Sequence, residues 1–280
     1  MDGPEILVAS LSRAVTKDQH GNKWQYHSRS DRHSKVACWG IAFDLLRESA
    51  LLRRHVEEEK VVVGVNHSMR DFGTGRKKNL DLVFARPDGP VDTTKTLSSL
   101  VAKYKIALSS AQADALSDLP PCPFAPVGAV LIALEAKATM TAHIRALPRL
   151  YDELNSSHMC VHGASTQALA VGFVMVNGSG TFASSDMNKG DLSGGLIFNE
   201  EPQPHSLLRT LEKVAEIPRR SNVRENGFDG VGVVVINGRN DGTPFELQTD
   251  SPAPLPGEPF HYDGMITRMA NEYDTTFGEI

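Results

Sequence analysis

The chain has 280 residues, of which 40% are hydrophobic and 22% charged, and its formal net charge is -5. This composition excludes wholesale disorder and a fibrous chain, and the length suits one elaborated domain with a sizeable core. The acidic balance excludes a uniformly basic surface, though not a local basic patch.

Neither the opening run MDGPEILVASLSRAV nor any later stretch has the pattern of a secretory signal, or the roughly 18 apolar residues of a membrane span. A cytoplasmic protein with no membrane partner is therefore expected. Cys38, Cys122 and Cys160 are too few and too scattered for a zinc site or a disulfide framework, so reduced, buried thiols are expected.

Residues 1–34 read as an N-terminal arm, because the stretch from Trp24 to His33 is polar and rich in His, Arg and Ser. From Lys35, the apolar residues Val36, Trp39, Phe43, Leu46 and Ala50 recur at spacings of three and four, which predicts a helix with one apolar face. Ser34 or Asp31 is placed to cap it. The helix is expected to end near the charge run Glu57 to Lys60. Val61 to Val65 is short and β-branched and predicts a strand, with a second at Leu80 to Arg86. Between them, glycines are followed at once by Arg76, Lys77 and Lys78, so the pair reads as a β-hairpin with a basic tip.

Residues 87–126 read as an insertion, with helical stretches at Thr96 to Leu108 and Ala111 to Leu119, ended by Pro120, Pro121 and Pro123. The continuous apolar run Gly128 to Leu134 predicts a strand covered on both faces, and it leads directly into Glu135, Ala136 and Lys137. A helix from Thr141 to Cys160, kinked or bounded at Pro148, and a buried strand from Ala168 to Val176 follow. Residues 178–280 read as an extension completing the same domain, with a helix at Ser206 to Glu216, a strand at Val231 to Ile236 and a final helix. No repeat is found, and no phosphate loop ends in Gly-Lys-Ser or Gly-Lys-Thr, which argues against an NTPase.

Strand alternation points Glu135 and Lys137 to the same face, so a carboxylate and an ammonium emerge together at the end of a buried strand. Burying such a pair for packing alone is costly. The tripeptide by itself is common, and an exposed ion pair explains an isolated one. Its context here is Asp81, an acid interrupting the apolar strand Leu80 to Phe84, which strand pairing can bring beside Glu135. Two carboxylates so placed suit a hard divalent cation that keeps several waters, with Lys137 near a metal-bound water.

The order helix, three strands, helix, strand over residues 35–177, with an acid on the second strand and Glu-x-Lys on the third, resembles the PD-(D/E)XK nuclease superfamily. The resemblance implies an α/β, restriction-endonuclease-like core: a central mixed β-sheet flanked by helices, interrupted by the insertion and followed by the extension. It implies Asp81, Glu135 and Lys137 as catalytic residues, with Asp81 and Glu135 as ligands of Mg2+, for which Mn2+ can substitute. The Ala136 carbonyl is implied as a further ligand, and Lys137 as the residue that orients or polarises the attacking water. An acid from the first helix often joins such sites, and Glu48 is the candidate. The sequence departs from the pattern at Leu80, which stands in place of the nominal proline, and in the long interruption between the second and third strands.

Phosphate contacts need bases around this cluster. The candidates are Arg70, Arg76, Lys77 and Lys78 on the hairpin and His143, Arg145 and Arg149 on the helix after the catalytic strand. The polar segment Tyr151 to His158 fits either a groove lining or an exposed helix end. The expected function is a metal-dependent endonuclease hydrolysing DNA phosphodiesters, of restriction type. Cutting both strands with one site per chain suits a homodimer. A structure-selective repair or recombination nuclease and a non-catalytic nucleic-acid-binding or protein-interaction module are the alternatives, and DNA versus RNA is left open.

Overall fold

The structure, a computed structural model, describes residues 1–280. The first apolar stretch forms α1 (Gly3–Leu11), and the short antiparallel pair β1 (Thr16–Lys17) and β2 (Lys23–Trp24) follows. The next helix divides in two. α2 (Arg32–Glu48) stops at Ser49, whose backbone is extended and whose Oγ accepts the Leu52 N–H to cap α3 (Ala50–Glu57). The hairpin strands β3 (Val62–Arg70) and β4 (Lys77–Pro87) outrun their apolar stretches, because ladder pairing continues through polar residues to Arg70↔Lys77.

The insertion supplies β5 (Asp92–Thr96), α4 (Ser99–Tyr104), α5 (Ser110–Ser117) and β6 (Pro123–Phe124). Ser109 and Gln112 cap α5 reciprocally. Then come β7 (Val127–Thr139), α6 (His143–Ala164) and β8 (Leu169–Asn177). Pro148 lies inside α6 without ending it; near the helix start its missing N–H removes a single intrahelical bond. The chain closes with β9 (Thr181–Phe182), β10 (Asn199–Glu200), α7 (His205–Ala215), β11 (Gly230–Asn237), β12 (Glu246–Gln248) and α8 (Tyr262–Thr276).

These elements make a mixed α/β architecture around an eight-stranded sheet ordered β12-β11-β8-β7-β4-β3-β6-β5. β3, β4 and β7 are antiparallel neighbours, while β7, β8 and β11 run parallel and are joined through α6 and α7. The insertion does not separate β4 from β7. It passes to the far edge of β3, where β6 pairs with β3 and β5 with β6.

Helices cover both faces. On one, α1, α2 and α8 bury Ile6, Trp39, Phe43 and Ile266 against Leu82, Phe84, Leu134 and Phe173. On the other, α6 and α7 bury Leu150, Leu154 and Leu207 against Val83, Ala133 and Val174. No helix is long and apolar enough to cross a membrane, and all three cysteines are buried and free.

The reading of residues 1–34 as an arm needs correction. Ile6, Leu7 and Leu11 of α1 lie in the main core, and Asp44 of α2 fixes the helix start by accepting the N–H groups of Asp2 (3.0 Å) and Gly3 (2.8 Å). Tyr262 of α8 donates to the same carboxylate at 2.9 Å, so this one buried acid ties three helices together. The polar residues near Trp24 to His33 had masked the apolar segment before them.

On the second face, burial holds His158 at about 4, below its ordinary 6.5. The unfolded chain therefore takes up a proton between these values that the folded chain refuses. Stability is fully present above about 6.5 and falls by ~1–3 kcal/mol as pH drops toward about 4. Melting temperatures at pH 7.5 and 5.0 test this. His158→Gln should show a shallower drop than wild type, even if it starts lower, and equal drops would remove His158 as the cause.

Candidate active site

β4 and β7 are paired from Pro87↔Val127 to Leu82↔Leu134. Beyond that point β4 keeps only β3 and β7 keeps only β8, so the two strands part and open a fork. A backbone donor at a fork needs another partner. The Ala136 N–H finds one in Asp81 Oδ2, at 3.0 Å.

Asp81 reaches that position because the alternation of β4 breaks there. Leu80 packs on the α6 face, whereas Leu82, two residues on, packs on the α2 face. The neighbouring strand is irregular at the same level, where Asn66 has φ 54°. On its α2 side, Asp81 Oδ1 accepts from Ser34 Oγ at 3.0 Å and from Lys35 Nζ at 2.7 Å. Lys35 is only 3% exposed and also donates to Asn66 Oδ1.

Glu135, itself 3% exposed, is held from the α6 side. Its Oε1 meets Lys137 Nζ at 2.8 Å and Lys78 Nζ at 3.7 Å, while Oε2 is buried without any partner. Lys137 turns also to Glu153 Oε2 on α6, at 3.1 Å, and Arg149 binds the other oxygen of Glu153 at 2.6 Å. Burial pushes the Glu135 carboxyl up, against the opposing pull of Lys137. Burial works against the Lys137 charge, but Glu135 and Glu153 outweigh it and raise that ammonium above its ordinary range. Lys137 therefore stays cationic at neutral pH.

Ser34, Asp81, Ala136, Lys137 and Glu153 line a cleft of about 480 Å3, whose other wall is Arg29 from the segment before α2 and His33 from its first turn. Desolvation holds His33 at about 4, so its imidazole is neutral. Part of the polar stretch near the N-terminus is thus the wall of a cleft.

The structure brings Asp81, Ala136 and Lys137 to one cleft, while Glu135, paired with Lys137, is buried and does not line it. It does not bring Glu48, which is exposed at the end of α2 and lies 3.4 Å from Thr267 of α8. His143 is also misplaced by the sequence reading. It is fully buried between the Asn177 carbonyl (2.8 Å) and Glu201 (3.1 Å), where it pins the start of α6 to the end of β8 and to the residue after β10 and cannot meet phosphate. Lys78 is engaged by Glu135 and by the Glu153 carbonyl, and Arg149 by Glu153. Arg70, Arg76, Lys77 and Arg145 are exposed and form no ion pair.

Sequence reading missed Ser34, Lys35 and Asn66 because nothing local distinguishes them from a helix start and a strand residue. Glu153 lay within the polar stretch of α6, whose groove-lining alternative is the one its position fits.

No three His, Cys, Asp or Glu side chains gather at metal-ligand distance, so the chain offers at most two carboxylates at this point. That number is usual for magnesium. The unpartnered Oε2 of Glu135 is an acceptor awaiting a cationic or donor partner, and Oδ2 of Asp81 keeps one lone pair beyond the bond it accepts, whereas Oδ1 already accepts two. The residues fit a hard divalent cation. Compared with models of protein families, with curated proteins and with solved structures, the chain gives no significant match.

Proposed function

We propose that this chain is a metal-dependent phosphodiesterase acting on DNA, built on a restriction-endonuclease-like PD-(D/E)XK core. The observation that carries the reading is the fork. An acid from one strand meets the Glu135–Ala136 peptide of the next, and Lys137 shares their cleft. Asp81, Glu135 and the Ala136 carbonyl would hold Mg2+, or Mn2+ in its place. A cation bound there supplies Lewis acidity, lowering the pKa of a coordinated water and neutralising phosphate charge.

The chain's own residues do the rest. Lys137, kept cationic by Glu135 and Glu153, stabilises negative charge developing at the attacked phosphate. Glu153 and Arg149 hold it at the cleft wall. The Ser34 and Lys35 donors hold Asp81 oriented toward Ala136.

A second reading, a non-catalytic module, is favoured by one feature: Lys35, Lys78 and Lys137 already balance Asp81, Glu135 and Glu153 without any cation. The two are separated by incubating purified protein with plasmid DNA and Mg2+, beside EDTA and Lys137→Met controls. Cleavage by wild type alone supports the enzyme. Uncut DNA with Mg2+ or Mn2+, with binding retained, supports the module.

The free bases on the hairpin make a separate prediction. Arg76→Ala combined with Lys77→Ala should lower the slope of log affinity against log salt by about 1.8 on duplex DNA, at about 0.9 per lost phosphate contact. An unchanged slope would place the hairpin off the DNA. Lys78 is left out of this test because its ammonium serves Glu135.

A further inference from the structure

Among the exposed large apolar side chains Phe72 is the most exposed, at 78%, and it stands at the tip of the β3–β4 hairpin. The tip is not a loose loop. The Asp71 N–H donates to the Arg76 carbonyl at 2.9 Å, and the Gly75 N–H returns to the Asp71 carbonyl at 2.8 Å. The Asp71 carboxylate accepts from the Gly73 N–H at 2.8 Å and from Thr74 Oγ1. The whole turn rests on the end of α6, where the Phe72 N–H donates to the Gly163 carbonyl at 3.4 Å. Gly163 permits that contact, because a Cβ there would stand 2.3 Å from Asp71 Oδ1. An aromatic ring is thus carried into solvent on a tethered turn.

Its neighbours are cations. Arg70, Arg76 and Lys77 are exposed and without ion-pair partners, and Asp71, the acid among them, is spent on the turn's own hydrogen bonds. The hairpin leads straight from this tip to the fork: along β4, the four steps from Lys77 to Asp81 span about 13 Å at 3.3 Å per residue. With the turn added, the ring lies four to five base steps from the cleft, at about 3.4 Å per step.

We infer that Phe72 is a stacking platform for an unpaired base of the nucleic acid whose phosphodiester occupies the Asp81–Lys137 cleft, with Arg70, Arg76 and Lys77 gripping the adjoining backbone. This rests on the nucleic-acid reading above and narrows its substrate class. Phenylalanine has no group to read a base edge, but every base offers a π-face. A ring at the tip of a cationic finger therefore selects strands with accessible bases, either single-stranded or locally unpaired, over intact duplex.

The test is fluorescence anisotropy in EDTA, so that no cleavage is needed, with a labelled 20-nucleotide single strand and the matched blunt duplex. Phe72→Ala should weaken single-strand binding about tenfold, within the range for one lost base–aromatic stack. Its salt slope should be unchanged, since no charge is lost, and duplex binding should move less than twofold. Lys77→Ala should instead lower the single-strand slope by about 0.7. Equal single-strand affinity of Phe72→Ala and wild type overturns the inference, as does an equal loss on both probes. A change in sedimentation of the free protein with unchanged DNA binding would make the ring a protein contact and also overturn it. If wild type binds neither probe, the nucleic-acid reading falls with it. If wild type binds and Phe72→Ala matches it, only this inference fails.

Discussion

Lys137→Met is expected to lower the cleavage rate per folded molecule by about 10²–10³-fold, the effect of removing one preorganised charge from a transition state, while leaving DNA binding in place. Lys137 is fixed between Glu135 at 2.8 Å and Glu153 at 3.1 Å, so its ammonium is preorganised. Its protonation needs no tuning, because both carboxylates favour the charged form. Methionine keeps the length of the side chain and removes only the charge. Glu135 would then lose its nearest cation and take up a proton more readily, which limits the stability loss. Melting temperature, affinity and rate measured on one preparation decide the matter: a folded, fully active Lys137→Met protein would reduce the residue to an ion-pair partner.

Asp81 calls for a different substitution. An alanine there would strand the buried ammonium of Lys35 and the Ala136 N–H together, so its loss of activity would be confounded by unfolding. Asp81→Asn keeps the shape and removes the charge.

The largest stability effect is expected at Arg220, away from the cleft residues. Its guanidinium is 3% exposed and each of its nitrogens is engaged: Nε donates to Asp229 Oδ1 at 2.8 Å, and the other two to the carbonyls of Thr166 and Ala168 at 3.1 and 3.0 Å. Asp229 in turn accepts the Ala170 N–H at 2.7 Å and faces His162 at 3.2 Å. These bonds tie the start of β8 to the start of β11, where the parallel pair Gly230↔Val171 begins. Arg220→Ala leaves a buried carboxylate short of its cation and two carbonyls short of donors, a loss of about 3–5 kcal/mol. Denaturant unfolding should show it as a lower midpoint with an unchanged slope. Adding Asp229→Asn to Arg220→Ala should recover part of the loss by removing the stranded charge. A loss below about 1 kcal/mol would show the network to be dispensable.

Local pattern was enough for the strands and helices of the core. The apolar runs at Gly128–Leu134, Ala168–Val176 and Val231–Ile236 have no other stable home than a sheet covered on both faces, and all three lie in β7, β8 and β11. The same local logic placed Glu135 and Lys137 on one face, and they meet at 2.8 Å. Where local pattern misled, nonlocal contacts were responsible. The buried acid that secures the helix ends is Asp44, and the next acid along, Glu48, faces α8 instead of the fork, because which side of α2 meets the sheet is set by packing.

What the sequence determined by itself is the set of chemical groups, and the strand order that carries two of them. Only the tertiary structure decided how Asp81 joins them. The departure from alternation between Leu80 and Leu82, the parting of β4 from β7 and the arrival of Ser34 and Lys35 from α2 all depend on contacts between segments far apart in the chain. A period-two rule places Asp81 on the face opposite Leu82 and the α2 side chains. The free N–H of Ala136 and the buried ammonium of Lys35 bring it to the fork, because an unpaired backbone donor and an unpaired buried cation cost more than a break in the pleat.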